Sequence, residues 1–175
     1  AQAAGEQKQL DDAIALVKSG KNKDGVAAIW RFTKDNPESP RFAEARYWSG
    51  VGFAALKDYK AANAAFGDVV NKAPDDARAP DALLGLATIA AQRNDAERAH
   101  SYYLLALESD PNDATAQAGV IQTRGQSDPA QSESRLKTAL TNQPDSPALL
   151  FALGMDNYIT AMMTAARLPE SSDRL

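Results

Sequence analysis

Proline residues close similar segments of this 175-residue chain at a nearly constant interval. Pro37, Pro74 and Pro111 are each separated by 37 residues, and Pro144 follows after a further 33. A fixed interval of this length is typical of stacked helical repeats, in which each unit buries its apolar face only against its neighbours. The interval therefore predicts an all-α chain of about four stacked helical hairpins.

The segment from residue 40 to residue 74 shows the repeating unit most clearly. Apolar or small residues recur every three or four positions over residues 40–56 and again over 59–72, which predicts two amphipathic helices. Gly50 and Ala62 are small, so we expect the two helices to approach closely at these positions. Equivalent positions in other units hold residues of similar size, as in the columns Leu10, Tyr47, Leu84, then Ala13, Gly50, Ala87, then Ile29, Phe66, Tyr103, Leu136.

The repeat divides the chain into a frayed start at residues 1–9, a single repeat domain at 10–168 and a disordered tail at 169–175. Within the domain, the predicted units are residues 10–37, 40–74, 78–111 and 113–144, followed by a last helix at 147–167. Short polar residues and prolines mark the helix starts. The predicted caps are Asp24, Ser39, Asp58 and Asp95, the predicted first-turn prolines are Pro40 and Pro80, and the predicted core of the first unit includes Leu10, Ala13, Ile14, Val17, Val26, Ile29, Trp30 and Phe32.

These units resemble the tetratricopeptide repeat family. The pattern of a small residue, two aromatics, alanine, phenylalanine and a closing proline is carried by Gly50, Phe53, Tyr59, Ala62, Phe66 and Pro74. The resemblance covers nearly the whole chain and implies a right-handed α-solenoid. Residues 10–110 are also similar to the repeats of the periplasmic coordinator of the Tol–Pal system and of outer-membrane assembly lipoproteins, through the interval of 37 and the strings ARYWSG at 45–50 and APDALL at 79–84.

Composition and charge argue against several classes of function. The net charge is −4 and no basic stripe is visible, which disfavours nucleic-acid binding. The chain has no cysteine, and His100 is its only histidine, so we expect no metal, no cofactor and no thiol chemistry. No apolar run is long enough to cross a membrane. No catalytic motif is present, and we predict that the chain is not an enzyme.

In a stack of helical hairpins the first helices line the concave face, where a peptide can bind. The predicted groove residues are Tyr47, Val51, Ala55, Leu84, Thr88, Gln92, Gln117, Ile121 and Arg124. For each residue taken alone, packing between repeats is the alternative. A second candidate surface comprises Trp48 and, on the last helix, Tyr158, Ile159, Met162 and Met163. That helix would dock on a partner, pair with a second copy or adjoin further repeats.

The pattern thus predicts a non-enzymatic scaffold that binds a partner protein or peptide segment in its concave groove. The resemblance implies a role in bacterial envelope maintenance or outer-membrane assembly and a periplasmic location, with the cytoplasm as the alternative. The alternative function is a repeat module of a larger pilus, secretion or polysaccharide-export machine. The chain begins without methionine, which suits a trimmed N-terminus, a piece of a longer protein or methionine removal.

Overall fold

A computed structural model describes residues 2–123 together with positions 133–134, 137, 140–141, 150 and 153–154. The described residues form seven helices and no strand, which confirms the all-α architecture of helical hairpins. The helices are α1 (Gln2–Lys18), α2 (Asn22–Asp35), α3 (Phe42–Ala55), α4 (Tyr59–Lys72), α5 (Ala79–Gln92), α6 (Ala96–Ser109) and α7 (Ala114–Thr123). Helix α1 begins inside the segment that we expected to be frayed. The described positions after residue 123 are also helical, and the rest of the predicted fourth unit, last helix and tail lies outside the described residues.

The chain forms two compact units, Ala1–Asn94 and Asp95–Leu175. We call them the N-terminal unit, which holds α1 to α5, and the C-terminal unit, which holds α6 and α7. In the N-terminal unit each helix packs against the next one, and the first helices of successive hairpins also adjoin, α1 with α3 and α3 with α5. In the C-terminal unit α6 packs against α7. A single repeat domain over residues 10–168 stays a prediction.

Two aspartates cap helices as predicted. The Oδ1 atom of Asp58 accepts a hydrogen bond from the backbone N–H of Ala61 at 3.0 Å, at the start of α4. Asp95 does the same for Arg98 at 3.2 Å, at the start of α6. Pro80 lies in the first turn of α5, where its missing N–H costs nothing.

Two other predicted helix starts are wrong. Asp24 lies in the first turn of α2, and the cap residue is Lys21, which makes no side-chain cap bond. An acid in the first turn still favours the helix through its interaction with the helix dipole. Ser39 and Pro40 precede α3, whose cap residue is Arg41. The Ser39 hydroxyl accepts from the Arg41 backbone N–H at 3.2 Å, so it closes a turn before the helix rather than capping it.

The apolar stripe of α1 is enclosed as predicted, but the prediction that Trp30 is buried is wrong. Its side chain is 60% exposed, while Ile29 and Phe32 on the same helix are fully buried. Successive residues of an α-helix turn by about 100°, so the residue after Ile29 points away from the core face. The Lys34 ammonium lies 5.3 Å from the centre of the Trp30 ring and covers part of it. The buried cluster consists of Leu10, Ala13, Ile14, Val17, Ile29, Phe32 and Ala45.

The Phe66 ring fills the space where α4 meets both α3 and α5. A Cβ added at Gly50 of α3 would lie 2.6 Å from two carbons of this ring. A Cβ added at Gly85 of α5 would lie 2.7 Å from the opposite edge of the same ring. Both distances are far inside van der Waals contact, so the absence of a side chain at both positions lets α3 and α5 close on Phe66.

A buried polar pair joins α6 to α7 in the C-terminal unit. His100 is 2% exposed, and its Nδ1 atom lies 2.9 Å from the Oγ1 of Thr123. The Thr123 hydroxyl donates to the Gly119 carbonyl at 2.7 Å, so the protonated Nδ1 donates to Thr123. The pairing gives each of these two buried polar side chains a hydrogen-bond partner, and it supports a structural role for His100.

Candidate functional site

An open groove of about 470 Å³ lies between α3 and α5 in the N-terminal unit. Six of the predicted groove residues line it, and those of α5 follow those of α3 by one repeat interval. They are Tyr47, Val51 and Ala55 of α3, and Leu84, Thr88 and Gln92 of α5. The rest of the lining comprises Ala54, Lys57, Tyr59, Phe66, Asp81, Gly85 and Ile89. That these residues bind a partner stays a prediction.

The other three predicted groove residues lie in the C-terminal unit. Gln117 is half-buried on α7, and its Nε2 donates to the Pro111 carbonyl at 2.9 Å. Ile121 belongs to α7, but its side chain lies outside the described part of the chain, as does Arg124 entirely. A groove role for these three residues stays a prediction.

The second candidate surface is described only at Trp48. This side chain is half-buried and packs against the buried cluster of the N-terminal unit. Its ring contacts Tyr47 edge-on at 5.4 Å between centres, and the Lys18 ammonium lies 4.8 Å from the ring centre. Trp48 therefore contributes to packing. Tyr158, Ile159, Met162 and Met163 lie outside the described residues.

Tyr47 lies between Phe66, whose ring forms the floor of the groove, and Asp81 at one end of the groove. Its ring lies 5.9 Å from that of Phe66, centre to centre. The pKa of its phenol is raised, first by burial and then by the charge of Asp81, with Arg78 acting in the opposite direction. Tyr47 thus stays neutral at physiological pH, and the groove carries a half-buried aromatic ring beside a carboxylate.

A series of ion pairs connects α1 to the starts of α3 and α5 in the N-terminal unit. Arg41 pairs with Asp11 at 2.6 Å and with Glu44 at 2.7 Å, and Arg78 pairs with the other oxygen of Glu44 at 2.6 Å. Arg78 stands one repeat interval after Arg41, and Asp81 stands one interval after Glu44. Glu44 is thereby held between two guanidinium groups. Asp81 makes no ion pair with any described residue, and it faces the groove.

The acid and the base of the groove lie at opposite ends. Asp81 is in the first turn of α5, and its charge reaches Tyr47 in the second turn of α3, which places both residues at the same end of the groove. Lys57 follows the end of α3, and Gln92 is the last residue of α5. At 1.5 Å per residue, the groove runs about 16 Å along α5 from Asp81 to Gln92.

The lining of the groove offers aromatic and aliphatic side chains, the hydroxyls of Tyr47, Tyr59 and Thr88, the amide of Gln92 and one charge at each end. Among the described residues, no cluster of three or more histidines or carboxylates could hold a metal ion. No helix in that part of the chain is long and apolar enough to span a membrane.

Sequence reasoning missed Lys57, Asp81 and Gly85 as lining residues. Asp81 stands one interval after Glu44, but residue type alone does not show that Glu44 is paired while Asp81 faces the groove. Lys57 carried no signal, since its position depends on how the chain leaves α3 with a positive φ of 61°.

Two overlapping matches to the tetratricopeptide repeat family model cover residues 10–77 and 53–114. Together they span residues 10–114, more than half of the chain, and contain every residue that lines the groove. No curated protein shows significant sequence similarity to the chain.

Proposed function

Because the chain belongs to the tetratricopeptide repeat family, whose repeats generally mediate protein–protein interaction, we propose that it is a non-enzymatic scaffold that holds a segment of a partner protein in the groove between α3 and α5. We further propose a role in bacterial envelope maintenance or outer-membrane assembly, in the periplasm. The similarity of the strings at 45–50 and 79–84 to repeats of envelope proteins supports this second part.

The observation that carries the proposal is a change of environment within one column of the repeat. Leu10 of α1 is fully buried, whereas Tyr47 of α3 and Leu84 of α5 are half-buried and line the groove. The same repeat position is therefore enclosed on α1 but left partly exposed on α3 and α5. Apolar side chains gathered in a concave surface favour a bound partner.

Two leucine-to-arginine variants test the groove. Leu84→Arg places a charge in the groove, while Leu56→Arg places the same charge at the end of α3, where Leu56 is 36% exposed and outside the lining. Wild type and both variants are immobilised, and proteins captured from fractionated bacterial lysates are quantified by mass spectrometry. We expect Leu56→Arg to retain the captured proteins and Leu84→Arg to lose them, with equal far-UV circular dichroism and melting temperature in both.

The identity of the captured proteins tests the process. Enrichment of envelope proteins by wild type and Leu56→Arg supports envelope maintenance or outer-membrane assembly. Enrichment of pilus, secretion or polysaccharide-export components favours the alternative machine, and enrichment of cytoplasmic proteins alone contradicts the periplasmic location. Equal capture by wild type and Leu84→Arg contradicts the groove itself.

A further inference from the structure

The two charges of the groove, Asp81 and Lys57, take no part in the ion pairs that join α1 to the starts of α3 and α5. Glu44 has two arginine partners, while its counterpart Asp81 has no ion pair within the described chain. Lys57 likewise makes no ion pair with a described residue. Its position is fixed by the backbone, since its N–H donates to the Ala54 carbonyl at 2.9 Å where α3 ends. The groove therefore presents a carboxylate at one end and an ammonium at the other.

The length of the groove matches a short extended segment. An extended chain advances about 3.3 Å per residue, so roughly five residues reach from one end to the other. Such a segment inserts alternate side chains into the groove and leaves its backbone at the rim, which allows a few residues to place one side chain at each charged end.

We propose that the groove binds an extended segment of about five residues from a partner protein, with a basic side chain on Asp81 and an acidic side chain on Lys57. The apolar side chain between them packs on Tyr47 and Leu84, above the ring of Phe66. The proposal rests on the proposed function and adds the chemistry of the partner. The two charges also determine which end of the groove each charged residue of the segment occupies, because the reversed placement brings like charges together at both ends.

A display experiment on the full chain tests this arrangement. Wild type, Leu84→Arg and the charge-exchanged double variant Asp81→Lys/Lys57→Asp are each used to select from a phage library of random dodecapeptides. We expect wild type to enrich peptides in which a basic and an acidic residue are separated by three or four positions with apolar residues between them. The most enriched peptide is then synthesised with a fluorescent label, together with a second peptide in which its basic and acidic residues are exchanged.

Binding of these two peptides is measured by fluorescence polarisation. We expect wild type to prefer the selected peptide by about tenfold, as two exposed ion pairs allow, and the double variant to prefer the exchanged peptide instead. Both preferences should weaken as sodium chloride is raised, because screening acts on exposed charges. Asp81→Asn alone should weaken the selected peptide by about two- to fivefold.

The other outcomes separate this inference from the proposed function. Selected peptides whose binding depends on Leu84, but which show no charge pattern and no inverted preference in the double variant, would overturn the inference and leave the groove as the binding site. Equal enrichment by Leu84→Arg would overturn both. If wild type enriches no peptide above background, the proposal that the groove binds a short extended segment is overturned, whatever proteins are captured from the lysates. A wild-type dimer that Leu84→Arg converts to a monomer in light scattering would show that a second copy occupies the groove.

Discussion

Replacing Gly85 by alanine should destabilise the N-terminal unit, because the ring beneath the groove leaves no space for the added methyl group. The new Cβ would lie 2.7, 2.8 and 3.0 Å from three carbons of Phe66. The ring can retreat only slightly, since its other edge meets the backbone of Gly50, where a Cβ would lie as close as 2.6 Å. Phe66 is itself almost fully buried, so the clash must move a helix or distort the ring's rotamer.

Two opposing effects set the magnitude. Alanine gains about 0.5–1 kcal/mol over glycine in a helix interior, because it restricts the unfolded chain. Overpacking a well-filled core costs about 1–3 kcal/mol. We therefore expect Gly85→Ala and Gly50→Ala each to lower the free energy of unfolding by about 1–2 kcal/mol. The double variant should lose more than the two single losses together, because each methyl group blocks the retreat of the ring from the other.

Gly67 provides the matched control. It also lies inside a helix, α4, but a Cβ there would meet only the Asn71 side chain at 3.9 Å. Gly67→Ala should therefore raise the free energy of unfolding by about 0.5–1 kcal/mol. Unfolding in urea is followed by tryptophan fluorescence, which reports on the N-terminal unit because Trp30 and Trp48 are the only two tryptophans of the chain and both lie in that unit.

A smaller residue at the floor should rescue the substitution. In a Phe66→Leu background the space beside α5 opens, so Gly85→Ala should become neutral or stabilising relative to that background. If Gly85→Ala and Gly50→Ala stabilise the wild type as much as Gly67→Ala does, the ring does not lie between the two helices. The description of the floor of the groove would then be wrong.

Three further results follow from the described contacts. The pKa of Tyr47 is raised by burial and by Asp81, so its phenol should ionise above pH 10 in an absorbance titration at alkaline pH. The stability that the neutral phenol contributes below pH 10 should be lost as the pH rises through this higher pKa. Tyr47→Phe should remove both effects. Asp58→Ala removes the cap of α4 and should cost about 1 kcal/mol in urea unfolding, whereas Asp58→Ser should retain most of that stability. Thr123→Val leaves the buried His100 donor without its hydroxyl acceptor and should cost about 1–3 kcal/mol by far-UV circular dichroism, with Thr123→Ser as the control that keeps the hydroxyl.

The helical hairpin at residues 40–74 was the part of the fold most open to prediction, because its signals are local. The second predicted helix, residues 59–72, has the bounds that α4 shows, and it is set by Asp58 before it and Pro74 after it. The family's groove columns were also predictable, since the repeat interval fixes which residues of α3 and α5 are equivalent. Periodicity thus predicted both the helices and the six groove residues that lie on α3 and α5.

Trp30 shows where periodicity is insufficient. Ile29 and Trp30 are both apolar and adjacent, so either could join the core stripe, and only the neighbouring helix decides between them. The structure selects the face that carries Gly25, where a Cβ would meet the backbone of Val17 on α1 at 2.9 Å. The charged ends of the groove escaped prediction for a related reason. Ion pairs between Arg78 and Glu44 connect different hairpins, and residue type alone does not reveal which acids find such a partner.

The groove and the core of the N-terminal unit are built from the same repeated positions, and small differences between units separate their roles. Leu10 is fully buried on α1, which packs on α2 and α3, while the equivalent Tyr47 and Leu84 are half-buried and line the open groove between α3 and α5. Burying a large side chain stabilises by about 1.5–3 kcal/mol, so leaving two half-exposed sacrifices stability that the fold could have had. In the proposed complex, a partner side chain that fills this space recovers part of that free energy, and we propose that the two terminal charges select the segment that carries it.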